Sequence, residues 1–439
     1  MALSCPPLMK NPFPPNNIPA VQAMVALLCE EIKFAKNVQV TQIQGGNKYS
    51  IIFFACVMNT TTVKHPDQRD LCVLRTSRTK YQIHAWADFE MGRMAAFQHF
   101  ALQRLPAPGL LAYDGTYDNH IQCSYRIEQQ MNGQNLTEHY RRLRNLHARY
   151  TRPEADEAED YAIVALTVSS IIEHQERAYP FQHYGTFQIG PGTALKGVRH
   201  THTHKRIQLA VKPFIGENIA TRAHTKTIDF ILALLHAQEP QRRSTVHEYK
   251  YHRILDMAVR LKIFGDANHV AHRAEPSTLW HPDFHPRKII LTQQRTFENP
   301  LVNTGRPANA NADVRRASCA ASVLGWDGAL ALPRIMTRCP PAFLWEVCPR
   351  KMSSGCGERI IKTRFDTAME RKLPGYCADA YGEVPRMVRA LGMYAILGFD
   401  ISWTELSFEG LMDAWEKYAA GDQAVVRGRW HAGEYLWGR

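Results

Sequence analysis

The sequence predicts an α+β protein of two lobes, a small β-rich lobe followed by a large, mainly helical one. Three observations predict it. Between Val38 and Leu74 the chain runs through short β-rich stretches, VQVTQIQ, YSIIFFACV and LCVLRT, separated by Gly45-Gly46 and by a polar turn. Beyond about residue 136, six segments carry apolar residues at helical spacing. Two strand-like pieces, KIILT (288–292) and ASVLGW (321–326), interrupt those helices.

Each element follows from its own pattern. After a proline-rich start, Ile18 to Phe34 reads as an amphipathic helix, so residues 1–35 form an N-terminal extension and helix. Within the β-rich lobe a helix is expected over about Ala87 to Gln103, after which LPAPGLLAYDGT and QCSYRIEQQMNG resume extended structure. This lobe and its hinge span residues 36–136, with Gly133 to Leu136 as a connector. The helical lobe, 137–439, is expected to hold helices at Ala158–Gln175, Thr227–Ala237, His247–Ile263, Arg359–Arg371, Ala378–Leu397 and Leu406–Tyr418. Pro385 falls inside the fifth and should kink it. Residues at about 293–320 are polar and rich in Asn, Ala and Arg, which predicts a disordered insertion between the two strand-like pieces. The segment Gly190 to Lys205 carries His200-Thr-His202-Thr-His204; alternation could place the imidazoles on one face as a metal site, and exposed loop histidines are the plainer reading.

Composition narrows the function. At 439 residues the chain can hold two or three domains or one two-lobed fold, and 45% hydrophobic with 21% charged residues is ordinary for a soluble protein. No apolar run reaches 18 residues, so no membrane partner is expected. The start, MALSCPPLMKNPFPPNN, is broken by prolines and lacks the apolar core of a signal peptide. Ten scattered cysteines with no C-x-x-C pair argue against a zinc site or a disulfide framework, so a cytoplasmic location is expected. The net charge of +12 is not gathered into a basic block with interleaved aromatics, so no nucleic-acid partner is expected. Its densest cluster, RRLRNLHARYTR (141–152), reads as a solvated face just before a helix; its weaker functional reading is a preference for an anionic ligand such as a nucleotide.

The chemistry concentrates in STLWHPDFHPRKIILT, Ser277 to Thr292, where Asp283 sits between two histidines in a proline-stiffened loop that feeds an apolar strand. A small β-rich lobe, a helical lobe and such a loop are the layout of a phosphoryl-transfer enzyme. There an aspartate accepts the substrate hydroxyl proton, while an asparagine five residues on and an aspartate on the next strand hold magnesium.

The stretch His281-Pro-Asp283-Phe-His285-Pro286-Arg-Lys288-Ile-Ile resembles the H-G-D-x-H-P-x-N-I motif of the aminoglycoside phosphotransferase, or kinase-like phosphotransferase, family. Trp326-Asp-Gly-Ala-Leu-Ala-Leu-Pro333-Arg334 and Pro340-Pro-Ala-Phe-Leu-Trp345 resemble the I-D-W-x-x-A-L-A-L-P-R and P-P-x-x-L-W stretches of its fungal branch. The resemblance runs in matching order from about residue 40 to 420. It implies a protein-kinase-like fold and ancestral ATP-dependent phosphoryl transfer to a hydroxyl group. It implies Asp283 as the base, Gly45 and Gly46 as the loop over the triphosphate, and Arg75 of Val73-Leu-Arg75 as a phosphate contact.

The departures fall on the chemistry. Lys288 stands at the asparagine position and Gly325 at the aspartate position, so the usual magnesium ligands are replaced. Asp327 is the remaining weak candidate for metal, expected on the same strand face as Gly325 but some ~6–7 Å along. Magnesium needs oxygen ligands, which an ammonium cannot supply, although Lys288 could place its cation near the β- and γ-phosphates. Arg93 replaces the glutamate of the N-lobe helix and would face Arg75 as a like charge; Glu90, one turn earlier, could pair with Arg75 instead. The long insertion is read as loosening the register of the two strands that carry base and metal ligand. The alternative is a paired hairpin from which the loop bulges harmlessly.

Two readings follow. One is a phosphotransferase, impaired or unconventional, acting with ATP on a small hydroxylated molecule or, as the lesser alternative, on a protein. The other is a non-catalytic pseudokinase that binds a nucleotide or a protein partner as a scaffold. The sequence also predicts that limited proteolysis of the native protein cuts first within 293–320; resistance there would count against a disordered insertion.

Overall fold

The structure, a computed structural model, describes residues 18–45, 49–59, 69–77, 84–115, 119–149, 154–178, 181–190, 209–216, 218–238, 245–264, 269–293, 319–346, 356–399 and 406–426. Helix α1 (Ile18–Glu31) precedes strands β1 (Ala35–Gly45), β2 (Tyr49–Met58) and β3 (Asp70–Ser77). Helix α2 (His84–Arg104) then leads into β4 (Leu110–Asp114) and β5 (Tyr125–Gln129). The strands form one antiparallel sheet in the order β1-β2-β3-β5-β4.

Alternation gives this sheet two different faces. Ile52, Phe54 and Cys56 of β2, Cys72 and Leu74 of β3, and Tyr125 and Ile127 of β5 share one face. Val21, Val25, Leu28 and Cys29 of α1, at helical spacing, pack onto it and close that core. The residues between them, Arg75 of β3 with Arg126 and Glu128 of β5, therefore point the other way, toward α2 and the second lobe.

The second lobe begins with β6 (Gln134–Asn135), followed by α3 (Leu136–Arg149), α4 (Glu154–Arg177), β7 (Gly185–Ile189) and β8 (Leu209–Pro213). Helices α5 (Thr227–Gln238) and α6 (Thr245–Phe264) precede β9 (Ser277–Trp280), β10 (Ile289–Gln293), β11 (Cys319–Val323) and β12 (Leu330–Pro333). The described chain ends with α7 (Arg334–Thr337), α8 (Phe343–Glu346), α9 (Cys356–Lys372), α10 (Tyr376–Tyr381), α11 (Glu383–Leu397) and α12 (Phe408–Val426). Small sheets β11-β10-β6 and β8-β7-β12-β9 are set among these helices. One apolar core joins α4 and α9 to β10 and to Phe97 and Ala101 of α2, and a second joins α5, α6, α11 and α12. The protein is thus a two-lobed α+β fold with α2 wedged between its lobes.

Several expectations are corrected. The RRLRNLHARYTR cluster does precede a helix, α4, but through Arg149 it is itself helical, within α3. The connector ends in a strand, because Gln134 and Asn135 pair with Leu291 and Ile290. Pro385 does not kink a helix: the chain divides at Gly382 into α10 and α11, and Pro385 falls in the first turn of α11, where its missing N–H costs nothing. ASVLGW is not a strand throughout, since β11 ends at Val323. The insertion does not unsettle the strands it joins: β10 and β11 pair rung by rung from Ile289↔Val323 to Gln293↔Cys319. Residues 294–318 of the insertion and His200, His202 and His204 lie outside the described residues. No helix among the described residues is long and apolar enough to cross a membrane.

The hinge is fixed by close backbone approach. A Cβ on Gly133 would stand 2.3 Å from the Leu291 carbonyl oxygen, and its φ of +149° is open in practice to glycine alone. Gly133→Ala should destabilise the protein by about 2–4 kcal/mol, the cost of strained backbone plus a shifted β10. A denaturant midpoint unchanged from wild type would show that the hinge and β10 separate freely.

Candidate functional site

The Asp283 loop is built by hydrogen bonds that specify one imidazole state. Leaving β9, the chain buries His281, 4% exposed, against the Trp326 ring at 4.5 Å. The Asp283 backbone N–H donates to His281 Nδ1 at 3.0 Å, so Nε2 must carry the proton it gives to the Leu324 carbonyl, also at 3.0 Å. His285 then caps a single 3-10 turn, Pro286–Lys288, by accepting from the Arg287 N–H at 3.2 Å. His281 therefore fixes the Asp283 backbone and His285 the turn that follows it, and the Asp283 side chain is left 46% exposed.

Lys288 occupies the centre of this loop. Its Nζ lies 3.4 Å from Asp283 Oδ2, and its N–H and carbonyl hydrogen-bond to His285 and Leu324 respectively. A Cβ built on Gly325 would meet Lys288 Cδ and Nζ at 3.2 Å, so the lysine side chain lies across the glycine. Gly325 has φ +78°, a left-handed turn just past the end of β11. That turn corrects the expected placement of Asp327: it does not share a strand face with Gly325 but is turned toward the first lobe. Trp326, buried between Phe97 at 5.5 Å and His281, locks the turn by donating from Nε1 to the Val323 carbonyl.

The cleft between the lobes is lined by Arg75, Gln98, Arg126 and Glu128 from the first and by Gly325 and Asp327 from the second. Arg75 Nε pairs with Glu128 Oε1 from the neighbouring strand, while the Glu90 side chain, the carboxylate expected there, lies outside the described residues. Glu128 is 5% exposed and also accepts from Gln98 Nε2 at 2.7 Å. Burial alone would raise its carboxyl, but Arg75 and Arg126 hold it below the ordinary carboxylate range. Arg126 Nη2 reaches across the cleft to Asp327 Oδ1 at 3.5 Å. Burial likewise works to raise the Asp327 carboxyl, and Arg126, then Arg75 and Arg93, outweigh it and lower it. Arg93 thus acts on the same charge cluster.

Of the residues the sequence singled out, the structure brings Asp283, Lys288 and Gly325 together, and places Arg75 and Asp327 in the adjoining cleft. Gly45 closes β1 opposite Ser50, while Gly46 lies outside the described residues. Sequence reasoning missed Arg126 and Glu128. The signal was present in YRIEQ: charged residues alternate with Tyr125 and Ile127 on a strand, which sends them to the side opposite the apolar core. Among the described residues no three His, Cys, Asp or Glu side chains converge as a metal-binding group.

No family model and no curated protein sequence matches the chain. Among solved structures it is similar to a candidate aminoglycoside phosphotransferase from Ralstonia eutropha JMP134, with 10% identity over 90% of this chain and 94% of that one, at a TM-score of 0.40. A glucosamine kinase bound to glucosamine, ADP and inorganic phosphate gives 10% identity over 92% and 99%, at 0.30. A spectinomycin phosphotransferase bound to ADP and spectinomycin gives 9% over 88% and 89%, at 0.28. The two-lobed fold rests on strand order and the position of α2; these scores are too low to bear on it.

His281 makes the loop sensitive to acid. Burial lowers its pKa from 6.5 to about 4, so the folded state holds the neutral ring while the unfolded chain takes up a proton. Its contribution is therefore complete above pH 6.5 and is lost as pH falls toward 4, by about 3 kcal/mol in all. Denaturant unfolding across this window should show that slope in the wild type and a flatter profile in His281→Gln. Parallel profiles would mean that the ring does not stay neutral in the fold.

Proposed function

We propose that this is a kinase-like protein of phosphotransferase descent whose cleft receives a nucleotide and whose phosphoryl transfer is impaired. One observation carries the reading: Lys288 lies 3.4 Å from Asp283 and across Gly325, at the positions where the motif resemblance calls for a magnesium site. The residues present do not fit that ion. An ammonium repels a dication and offers no lone pair, and Gly325 offers no side-chain oxygen. Unit charges 4 Å apart interact by about 4 kcal/mol at an effective dielectric near 20, or roughly three orders of magnitude in metal affinity before screening by water.

The polyphosphate would instead meet cations the chain already carries, Arg75 in the cleft and Lys288 beside Asp283. The order of the motifs supports descent from the fungal branch of the aminoglycoside phosphotransferase family, and scattered cysteines without a pairing pattern suit a cytosolic protein. A residual transfer to a small hydroxylated substrate is the second reading, favoured by Asp283, whose backbone is still fixed by His281 and whose carboxylate is still half exposed. In the first reading the same cleft serves recognition alone, with a nucleotide or a protein partner read by its contents.

Calorimetric titration of ATP tests the choice. Binding to the unmodified protein should be nearly the same with magnesium and with chelator. Lys288→Asn combined with Gly325→Asp should restore magnesium dependence, and either change alone should restore little. Aspartate tolerates positive φ better than most residues, so the double variant can keep the turn. Tight, magnesium-dependent ATP binding by the unmodified protein, or turnover abolished by Asp283→Ala, would establish the active enzyme instead.

A further inference from the structure

We infer that Arg75 and Arg126 form an oxyanion site whose resident occupant is the chain's own Asp327, so that a phosphate-bearing ligand enters by displacing that carboxylate. The inference deepens the proposed function and rests on its reading that the cleft takes a phosphorylated ligand.

The pairing of β3 with β5 sets Arg75 directly opposite Arg126. Like charges directly opposite on neighbouring strands are destabilising. Arg126 is moreover 5% exposed, where water does little to screen it. A sheet keeps such a pair only if anions sit between or above them, and this sheet supplies one of its own. Glu128 binds Arg75 through Oε1, and its Oε2 lies 4.0 Å from Arg126 Nε. Gln98 holds the same Oε2 at 2.7 Å, which fixes Glu128 in place.

The second anion comes from the other lobe and is held differently. Asp327 reaches Arg126 at 3.5 Å, at the long limit of a hydrogen bond, with its side chain 32% exposed. It rides on a turn made by Gly325 and capped by Trp326, not on a strand. Glu128 is thus a built-in member of the sheet, whereas Asp327 is a partly exposed carboxylate from the other lobe that lies against Arg126. Two guanidinium groups side by side, one carboxylate fixed between them and one held only by a long contact match the charge and fork geometry of a phosphate or pyrophosphate group. A tethered anion at that place lowers the affinity of any free anion that must take its seat.

The experiment uses the full chain with pyrophosphate and inorganic phosphate, in chelator, read by calorimetry and by thermal shift. In the unmodified protein pyrophosphate should raise the melting temperature, and Arg126→Gln should abolish that rise. Asp327→Asn should bind pyrophosphate at least about tenfold tighter, a modest share of one unit charge at contact. Asp327→Ala should do the same if the asparagine variant folds poorly, while Asp327→Glu, which keeps the charge, should bind as weakly as wild type. Unchanged pyrophosphate affinity in both neutral variants, or a thermal rise that persists in Arg126→Gln, would overturn the inference. The nucleotide reading fails separately: if pyrophosphate binds as expected and ATP binds to no variant, the oxyanion site stands and the nucleotide does not. If ATP binds and Asp327→Asn leaves both ligands unchanged, the nucleotide stands and the tethered occupant does not.

Discussion

Two guanidinium groups facing each other across β3 and β5 set the terms for everything around them. Arg75 and Arg126 cannot separate without breaking the register that also seats Leu74 against Ile127 and Cys72 against Gln129. Their repulsion has to be answered locally. Glu128, Gln98 and Asp327 answer it from the strand, from α2 and from the other lobe respectively. A buried carboxylate with a lowered pKa is the expected result, because the cations overcome a desolvation that acts in the opposite direction. The apolar face of the same strands explains why the charges are confined there. Tyr125 and Ile127 must meet α1, so their neighbours can only face the cleft.

The Asp283 side of the cleft answers a different charge problem. It brings together one ammonium, one carboxylate and a glycine. Lys288 balances Asp283 and at the same time covers Gly325, so a change at any one of the three alters the surroundings of the other two. The loop beneath them is not loosened by this arrangement. His281, Trp326 and the Leu324 carbonyl keep the backbone in a single arrangement, with no ionisation needed near neutral pH.

Much of this was legible in the sequence because it depends on period and spacing. The lobes follow from alternation giving way to helical repeats, and Asp283, Lys288 and Gly325 converge because strands β10 and β11 pair from Ile289 onward. What escaped depends on partners far apart in sequence. A carboxylate beside Arg75 comes from β5, 53 residues later, and no local rule points to Glu128. The path of Asp327 turned on a single positive φ at Gly325, which a run of apolar letters conceals. The division at Gly382 was read as a kink because Pro385 drew attention to the wrong residue; proline in a first helical turn marks a beginning.

The ladder between β10 and β11 has a consequence for how this gene can change. Its first rung, Ile289↔Val323, adjoins Lys288 and Leu324, and its last, Gln293↔Cys319, is where the insertion departs. Four steps along a strand separate the two ends by about 13 Å. β10 is also held on its other edge by Gln134 and Asn135, so its position does not depend on what joins it to β11. Lengthening the joining segment adds closure entropy only logarithmically. The ladder therefore works as an insulator: lineages can lengthen, shorten or replace the sequence beyond Gln293 without their edits being felt at the cleft. That makes this junction a natural place to splice in a tag, a reporter or a second domain.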